Sequence, residues 1–331
     1  MRRTILSGYI AQGKMVEKFE DGLAHFIGVR GAVATSSGTS ALHLALLALG
    51  LKEGDEVLIP SYVCSALLNA ILYVGAQPVL VDCGDDFNLS PDDFRRRLTN
   101  RTKACIIPHL FGHPAPIDEF TNKGIWIIED IAQSIGGEYK GRKLGSWGDI
   151  AIASFYATKM ITTGEGGAVL SNDLNLLERI KDLREYDEFE EYRLRFNYKM
   201  SDISASIGLV QLGKLPSFIK RRREIASYYR GALKGLNIAL PPEDKPFAYS
   251  VYYRFVIRVN EFEEVRRKML ERGIECKRPL YKPIHHYLSI PDYPKTDAIY
   301  KTALSIPIYP SLGDSEVEYI ARSLREVVDS Q

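Results

Sequence analysis

The chain has 331 residues, of which 45% are hydrophobic and 26% charged. That mix describes a folded protein of one or two domains large enough to need no disulfide or metal staple. Lys+Arg number 43 against 42 Asp+Glu, a formal charge of +1, which excludes a nucleic-acid binder working by bulk charge. No apolar run reaches the roughly 18 residues of a membrane span, and no apolar segment follows Arg2 and Arg3 to make a secretory signal. Cys64, Cys83, Cys105 and Cys276 are scattered without a CxxC pair, so a reduced, cytoplasmic setting is expected.

In chain order, residues 32–35 read as a strand, 39–49 as a helix, 56–60 as a strand, 64–74 as a helix and 78–82 as a strand. Apolar β-type runs follow at 103–108, 125–129, 149–155 and 167–171, separated by turns bearing Gly, Pro or Asp. Such alternation predicts an α/β fold with a mostly parallel seven-stranded sheet covered on both faces. The large domain is expected over residues 1–200. Residues 203–233 then read as a long helix bent at Pro216, 250–259 as a strand, 261–272 as a helix stopped by Gly273, and 316–328 as a terminal helix. These make a smaller α+β domain within residues 201–331. The basic run Lys220–Arg223 is expected to be a solvated helix face.

Ligands in open α/β sheets sit beyond the carboxyl ends of strands. Four such ends carry polar residues. The segment 35–40 (TSSGTS) places a glycine and small hydroxyls at a helix start, which suits a phosphate or is simply a cap. Neither a Walker A nor a GxGxxG pattern is present. Glu129 and Asp130 end the run IWIIED, with Gln133 just beyond; alone, such a carboxylate is usually a turn cap. Ser154 and Lys159 flank a strand end before a Gly-rich turn, and a lysine desolvated there becomes a nucleophile for carbonyls. Jointly, a lysine, an acid and a phosphate turn are the three parts that pyridoxal phosphate (PLP) needs.

With these residues in view, the sequence resembles the DegT/DnrJ/EryC1/StrS sugar aminotransferases, PLP enzymes of fold type I with an aspartate-aminotransferase-like large domain. The resemblance spans nearly the whole chain, through blocks such as SGTSALHLALLALGLKEGDEVLIP, IIEDIAQSIGGEYKGRKLGSWGD, SFYATKMITTGEGGAVLSND and NYKMSDISASIGLVQL. It implies that Lys159 is the Schiff-base lysine, that Asp130 faces the pyridine nitrogen and that Gln133 lies near the phenolic oxygen. Gly38, Thr39, Ser40 and Ser154 are implied to hold the phosphate, and Asn197 to reach the phosphate of the neighbouring subunit in a homodimer with shared sites. His285 and Tyr281, in the block YKPIH, are implied on the substrate side. A nucleotide-linked keto sugar and L-glutamate or glutamine are the implied substrates, in a ping-pong transamination. Where the family usually stacks an aromatic on the cofactor this chain has Cys64, a loss of about 1 kcal/mol; Tyr62 is the candidate substitute. Ile135 stands where many relatives have histidine, and the substrate segments are short for the family.

A dehydratase or other lyase on the same scaffold usually has histidine in place of the lysine, so Lys159 favours amino transfer. A non-catalytic regulatory member has no need of Lys159, Asp130 and the phosphate turn together. Metal catalysis is not expected. His109 and His113 have helical ligand spacing, but Pro108, Gly112 and Pro114 make that stretch a loop, and His286 is expected at the surface.

Overall fold

A computed structural model describes residues 1–187 and 189–329; residue 331, the end of the expected second domain, lies outside them. The chain opens with α1 (Arg2–Leu6) and α2 (Lys14–Ile27). The second buries Val16, Phe19, Leu23 and Ile27, an apolar stripe at helical spacing. Then come β1 (Gly31–Thr35), α3 (Gly38–Ala48), β2 (Glu56–Pro60), α4 (Ser65–Tyr73), β3 (Gln77–Val81), α5 (Pro91–Arg97), β4 (Thr102–Pro108) and β5 (Trp126–Asp130). Short strands β6 (Glu138–Tyr139) and β7 (Arg142–Lys143) precede β8 (Ile150–Ser154), β9 (Gly167–Ser171) and α6 (Leu174–Arg184).

The expected seven-stranded sheet is present, in the order β1-β9-β8-β5-β4-β2-β3. Only β9 runs against the rest, pairing antiparallel with β1 and β8 on either side. Side chains alternate across it: Cys105, Ile107 and Ile127 join one buried cluster with α2, while Ile106, Ile128 and Ile152 join another with α3 and α4. This two-sided burial is why the strands read as continuous apolar runs.

The remainder contains α7 (Asp202–Ala232), β10 (Ala248–Tyr249), β11 (Phe255–Arg258), α8 (Phe262–Glu271), α9 (Ile284–Leu288), α10 (Pro294–Thr302), β12 (Ala303–Ile306) and α11 (Asp314–Asp329). It has its own core around Tyr229, Phe255, Ile257 and Leu324. Helix α7 starts in the sheet's core, with Ala205 and Leu215, and ends in this one, with Ile225 and Tyr229. Its 31 residues run through Pro216 without a break, although proline removes one intrahelical donor.

Two expectations fail here. The strand foreseen over 250–259 is regular only from Phe255 to Arg258. Before that, Tyr252 has φ +50°, and the N–H groups of Val251 and Arg254 donate to Gly112 and Phe111 carbonyls rather than to a sheet. The basic run on α7 is also not a solvated face. Arg222 is buried, and its Nη1 donates to the carbonyls of Tyr252, Tyr253 and Ile308 at 3.2, 3.0 and 2.7 Å. Burial pulls its pKa down to about 10.

One long-range contact fixes the start of the chain. The Asp202 carboxylate, at the first turn of α7, accepts hydrogen bonds from the N–H groups of Gly13, Met15 and Val16 at 2.9, 3.1 and 3.0 Å. It caps α2, which has no cap of its own.

Candidate active site

The site is built where β1, β8 and β5 end and the antiparallel β9 begins. Thr35 pairs with Gly167 and Gly167 with Ser154, so the α3 N-terminus lies directly over the first residue of β9. The packing there tolerates only glycine. A Cβ on Gly167 would lie 2.3 Å from the Ser37 carbonyl oxygen, and one on Gly38 would lie 2.8 Å from Ser154 Cβ.

Ser37 caps α3 by accepting from the Ser40 N–H at 3.0 Å. The Ser40 hydroxyl bonds in turn to Ser36 and Ser37, at 3.1 and 2.8 Å. Ser40 therefore shapes the turn, while the N–H groups of Gly38 and Thr39, at the first positions of the helix, have no intrahelical acceptor. With the adjacent Ser154 hydroxyl they form an anion cradle at the positive end of an 11-residue helix.

Strand alternation separates the two acids that end β5. Glu129 is fully buried and satisfied: it accepts from the N–H groups of Gly145, Trp147 and Gly148 at 2.8, 2.6 and 2.8 Å, and from His109 Nε2 at 3.1 Å. His109 Nδ1 accepts from the Ala115 N–H at 3.0 Å, which places the ring proton on Nε2. Asp130 is different. One of its oxygens accepts from the Ala132 N–H at 2.9 Å, and no side chain pairs with it. Burial raises its pKa, opposed by the Ala132 N–H and then by Lys159 and His109. Apart from that backbone N–H, a desolvated carboxylate of this kind lacks a cationic partner to offset its burial.

Lys159 follows the β8 end in a turn, its own N–H donating to the Tyr156 carbonyl at 2.9 Å. Its Nζ lies 5.6 Å from the Tyr253 ring centroid and pairs with no carboxylate among the described residues. Burial pushes the Tyr253 phenol up, but Lys159, Arg254 and the Thr158 hydroxyl outweigh it and hold the pKa below the ordinary value. Cys64, immediately before α4, keeps solvent access. Burial and the Asp130 charge raise its thiol, while Lys159 lowers it. Asp130, Lys159, Cys64 and Tyr253 thus share one cleft beside the cradle. The candidate substitute Tyr62 does not join them, being 1% exposed and packed edge-on to Phe111 at 6.2 Å.

The other expected residues are distributed as follows. Gln133 Oε1 accepts from the Phe111 N–H at 2.9 Å, leaving its amide nitrogen unbonded among the described residues. Ile135 is buried in the core. Asn197 is exposed, in a segment held against the cradle by the Ser36 N–H donating to the Tyr198 carbonyl at 2.7 Å. Tyr281 is 85% exposed and contributes only its carbonyl, to the Tyr300 hydroxyl. His285 is buried, with Nδ1 2.6 Å from Ser61 Oγ and Nε2 3.2 Å from Asp297 Oδ1.

His286, expected at the surface, is half-buried and reaches the same Asp297 oxygen at 2.8 Å. His285, His286 and Asp297 are a group that could hold a metal ion, their ligand atoms all lying within 4.8 Å of one another. Their mutual hydrogen bonds account for the arrangement without one. Tyr253, Arg254 and Thr158 carried no motif, and only their position beside Lys159 reveals them.

The residues fit PLP on structural grounds. The buried Asp130 lacks a cationic partner, Lys159 is unpaired, and the cradle is closed to any side chain at Gly38. Comparisons with known proteins agree. GDP-perosamine synthase of Escherichia coli O157:H7 is 36% identical over 335 residues, covering 96% of this chain and 91% of that protein. The structure of S. venezuelae DesV superposes with a TM-score of 0.94 at 33% identity, over 99% of this chain and 93% of that one. Spr1654 of Streptococcus pneumoniae, solved in a PLP form, superposes with a TM-score of 0.92 at 28% identity, over 99% and 95% of the two chains. The model of the DegT/DnrJ/EryC1/StrS aminotransferase family matches residues 1–325, and the chain belongs to that family.

Proposed function

We propose that the protein is a PLP-dependent sugar aminotransferase that moves an amino group from L-glutamate, or glutamine, to a nucleotide-linked keto sugar by a ping-pong cycle. The observation that carries the reading is the buried Asp130, without a side-chain partner among the described residues, sharing a cleft with Lys159 and the α3 cradle. The sugar nucleotide is supported by the likeness to a GDP-perosamine synthase.

PLP, when bound, supplies a ring that takes up the electron pair left as the substrate carbon loses its proton. Asp130, as a carboxylate, would hold the proton on the ring nitrogen, and the cation placed beside it would offset the burial that otherwise raises its pKa. Gly38, Thr39 and Ser154 would bind the phosphate, and Gln133 would lie near the phenolic oxygen. Lys159 Nζ carries the proton taken from the substrate carbon. Cys64 would line the cofactor site at the position where the family resemblance implies a stacked aromatic.

We place these functions in a large domain of residues 1–200 and a small domain of residues 201–331. The working unit is a homodimer, in which exposed Asn197 reaches the phosphate held by the neighbouring subunit. A cytoplasmic location fits the four free cysteines; no helix among the described residues is long and apolar enough to cross a membrane.

The test is an absorption spectrum of the purified holoenzyme before and after L-glutamate or L-glutamine. A band near the visible edge should move into the near ultraviolet. Lys159→Ala should abolish that shift and turnover while the dimer stays folded. Asp130→Asn should slow turnover by roughly 10²–10⁴-fold. A wild-type band that ignores both donors defeats the proposed amino donor, and full activity in Lys159→Ala defeats the assignment of the lysine.

A further inference from the structure

Beside Lys159 opens a cavity of about 570 Å³, lined by Thr158, Arg222, Tyr253, Arg254, Lys277 and Tyr309 among others. Its volume lies within the roughly 300–1,000 Å³ of small-molecule sites. It adjoins the cleft, because Thr158 neighbours Lys159 in sequence and the Tyr253 ring stands 5.6 Å from Lys159 Nζ. Tyr253 thus belongs to both the cavity lining and the surroundings of Lys159.

The charges around this cavity do not balance. Arg222 is committed to three backbone carbonyls, and no carboxylate pairs with it among the described residues. Lys277 is neutralised by Glu275 at 3.0 Å, and Glu316 accepts from the Gly313 N–H at 2.7 Å. Arg254 stands apart. It is half-buried, its Cζ lies 5.3 Å from the Tyr253 ring, and no carboxylate pairs with it among the described residues. The arginines flanking Arg222 on α7 differ: Arg221 reaches Asp314 and Arg223 reaches Asp244, both at 2.7 Å. Lys159 and Arg254 thus both stand over the Tyr253 ring, with Arg222 bonded to the Tyr253 carbonyl nearby, and none of the three is paired with a carboxylate among the described residues. Partly desolvated like charges in such an arrangement repel, and a bound anion relieves them.

We propose that Arg254 is a substrate-recognition residue that receives an anionic group in this cavity, either a carboxylate of the amino donor or a phosphate of the nucleotide sugar. Its guanidinium offers a planar fork suited to both. Arg254 Cζ and Lys159 Nζ lie 5.3 and 5.6 Å from the same Tyr253 ring centroid, so a group held by Arg254 is close to the reacting amine. The inference rests on the sugar-aminotransferase reading for its choice of ligands, and on the geometry for the residue.

The experiment compares wild-type holoenzyme with Arg254→Gln and Arg254→Lys. One arm measures the concentration of L-glutamate, and separately of L-glutamine, that half-saturates the single-turnover absorbance change. The other measures binding of GDP and UDP by calorimetry. Arg254→Gln should weaken one arm by roughly ten- to hundredfold, the range for hydrogen bonds to a charged group. Arg254→Lys should recover part of the loss, and the resting cofactor spectrum should stay as in the wild type. A loss confined to the donor arm identifies the carboxylate, and one confined to the nucleotide arm identifies the phosphate. Changes below about threefold in both arms, too small for a lost charged hydrogen bond, overturn the proposal. If wild type ignores both amino donors but binds a nucleotide, the donor reading falls and the nucleotide arm still decides Arg254. Wild type that responds to neither set overturns both.

Discussion

Acid should destabilise this protein through His113, and by an amount that the structure supplies. The ring is buried, with Nδ1 3.1 Å from Ser250 Oγ and Nε2 without a partner. Burial pulls its pKa from 6.5 down to about 4, with Asp244 opposing and Arg230 assisting. The unfolded imidazole takes up a proton as pH falls through 6.5, whereas the folded one resists until about 4. Stability attributable to His113 is therefore complete above pH 6.5 and falls progressively between the two values. The full gap corresponds to about 3 kcal/mol, and the part lost between pH 7 and pH 5 to about 2 kcal/mol. His113→Gln cannot titrate in this range, and its packing cost is the same at both pH values. Denaturant unfolding of the two proteins, at fixed protein and PLP concentrations, should show the stability difference between them shrinking by about 2 kcal/mol from pH 7 to pH 5. Parallel decline of the two curves would refute the argument, because His113 would then protonate in the folded state without penalty.

Two further outcomes concern backbone construction. Gly38→Ala should cost about 1–3 kcal/mol of stability, as overpacking does, and weaken PLP binding measured by fluorescence titration. Because the clash is with Ser154 Cβ, adding Ser154→Gly should return part of the stability; equal losses in the single and double variants would place the strain elsewhere. Asp202→Ala should lower stability by about 1–3 kcal/mol, since three N–H groups lose their acceptor. Hydrogen exchange should quicken within Lys14–Ile27, and Asp202→Asn should retain part of the protection.

The centre of the site was legible because each part ends a periodic element. Lys159 and Asp130 follow continuous apolar runs, and the TSSGTS turn sits between a strand and an apolar helix. What stayed hidden depends on contacts distant in sequence. The run SVYYRFVIRV alternates like a strand throughout, yet the carbonyls of Phe111 and Gly112 capture its first half and Tyr252 turns left-handed. Tyr253 and Arg254 are thereby brought to the cleft. Arg222 looks solvated in a KRRR run, and only the convergence of carbonyls 252, 253 and 308 buries it. Tyr62 was a reasonable substitute by proximity to Cys64, but its ring faces Phe111. Glu129 and Asp130 are adjacent in sequence and opposite in role, a separation that follows from the strand's alternation.

The cap that Asp202 provides for α2 has a consequence for synthesis on the ribosome. The first long helix of the chain emerges early, but the carboxylate that satisfies its leading N–H groups arrives 187 residues after Met15. Closing so long a loop is entropically slow relative to local folding. Until then the part of the α2 stripe that α7 covers, such as Phe19 against Gly208, is exposed on the nascent chain, and such intermediates are prone to aggregate. The carboxy-terminal third therefore does more than complete a pocket: its arrival ends the period in which the amino terminus needs protection from other nascent chains.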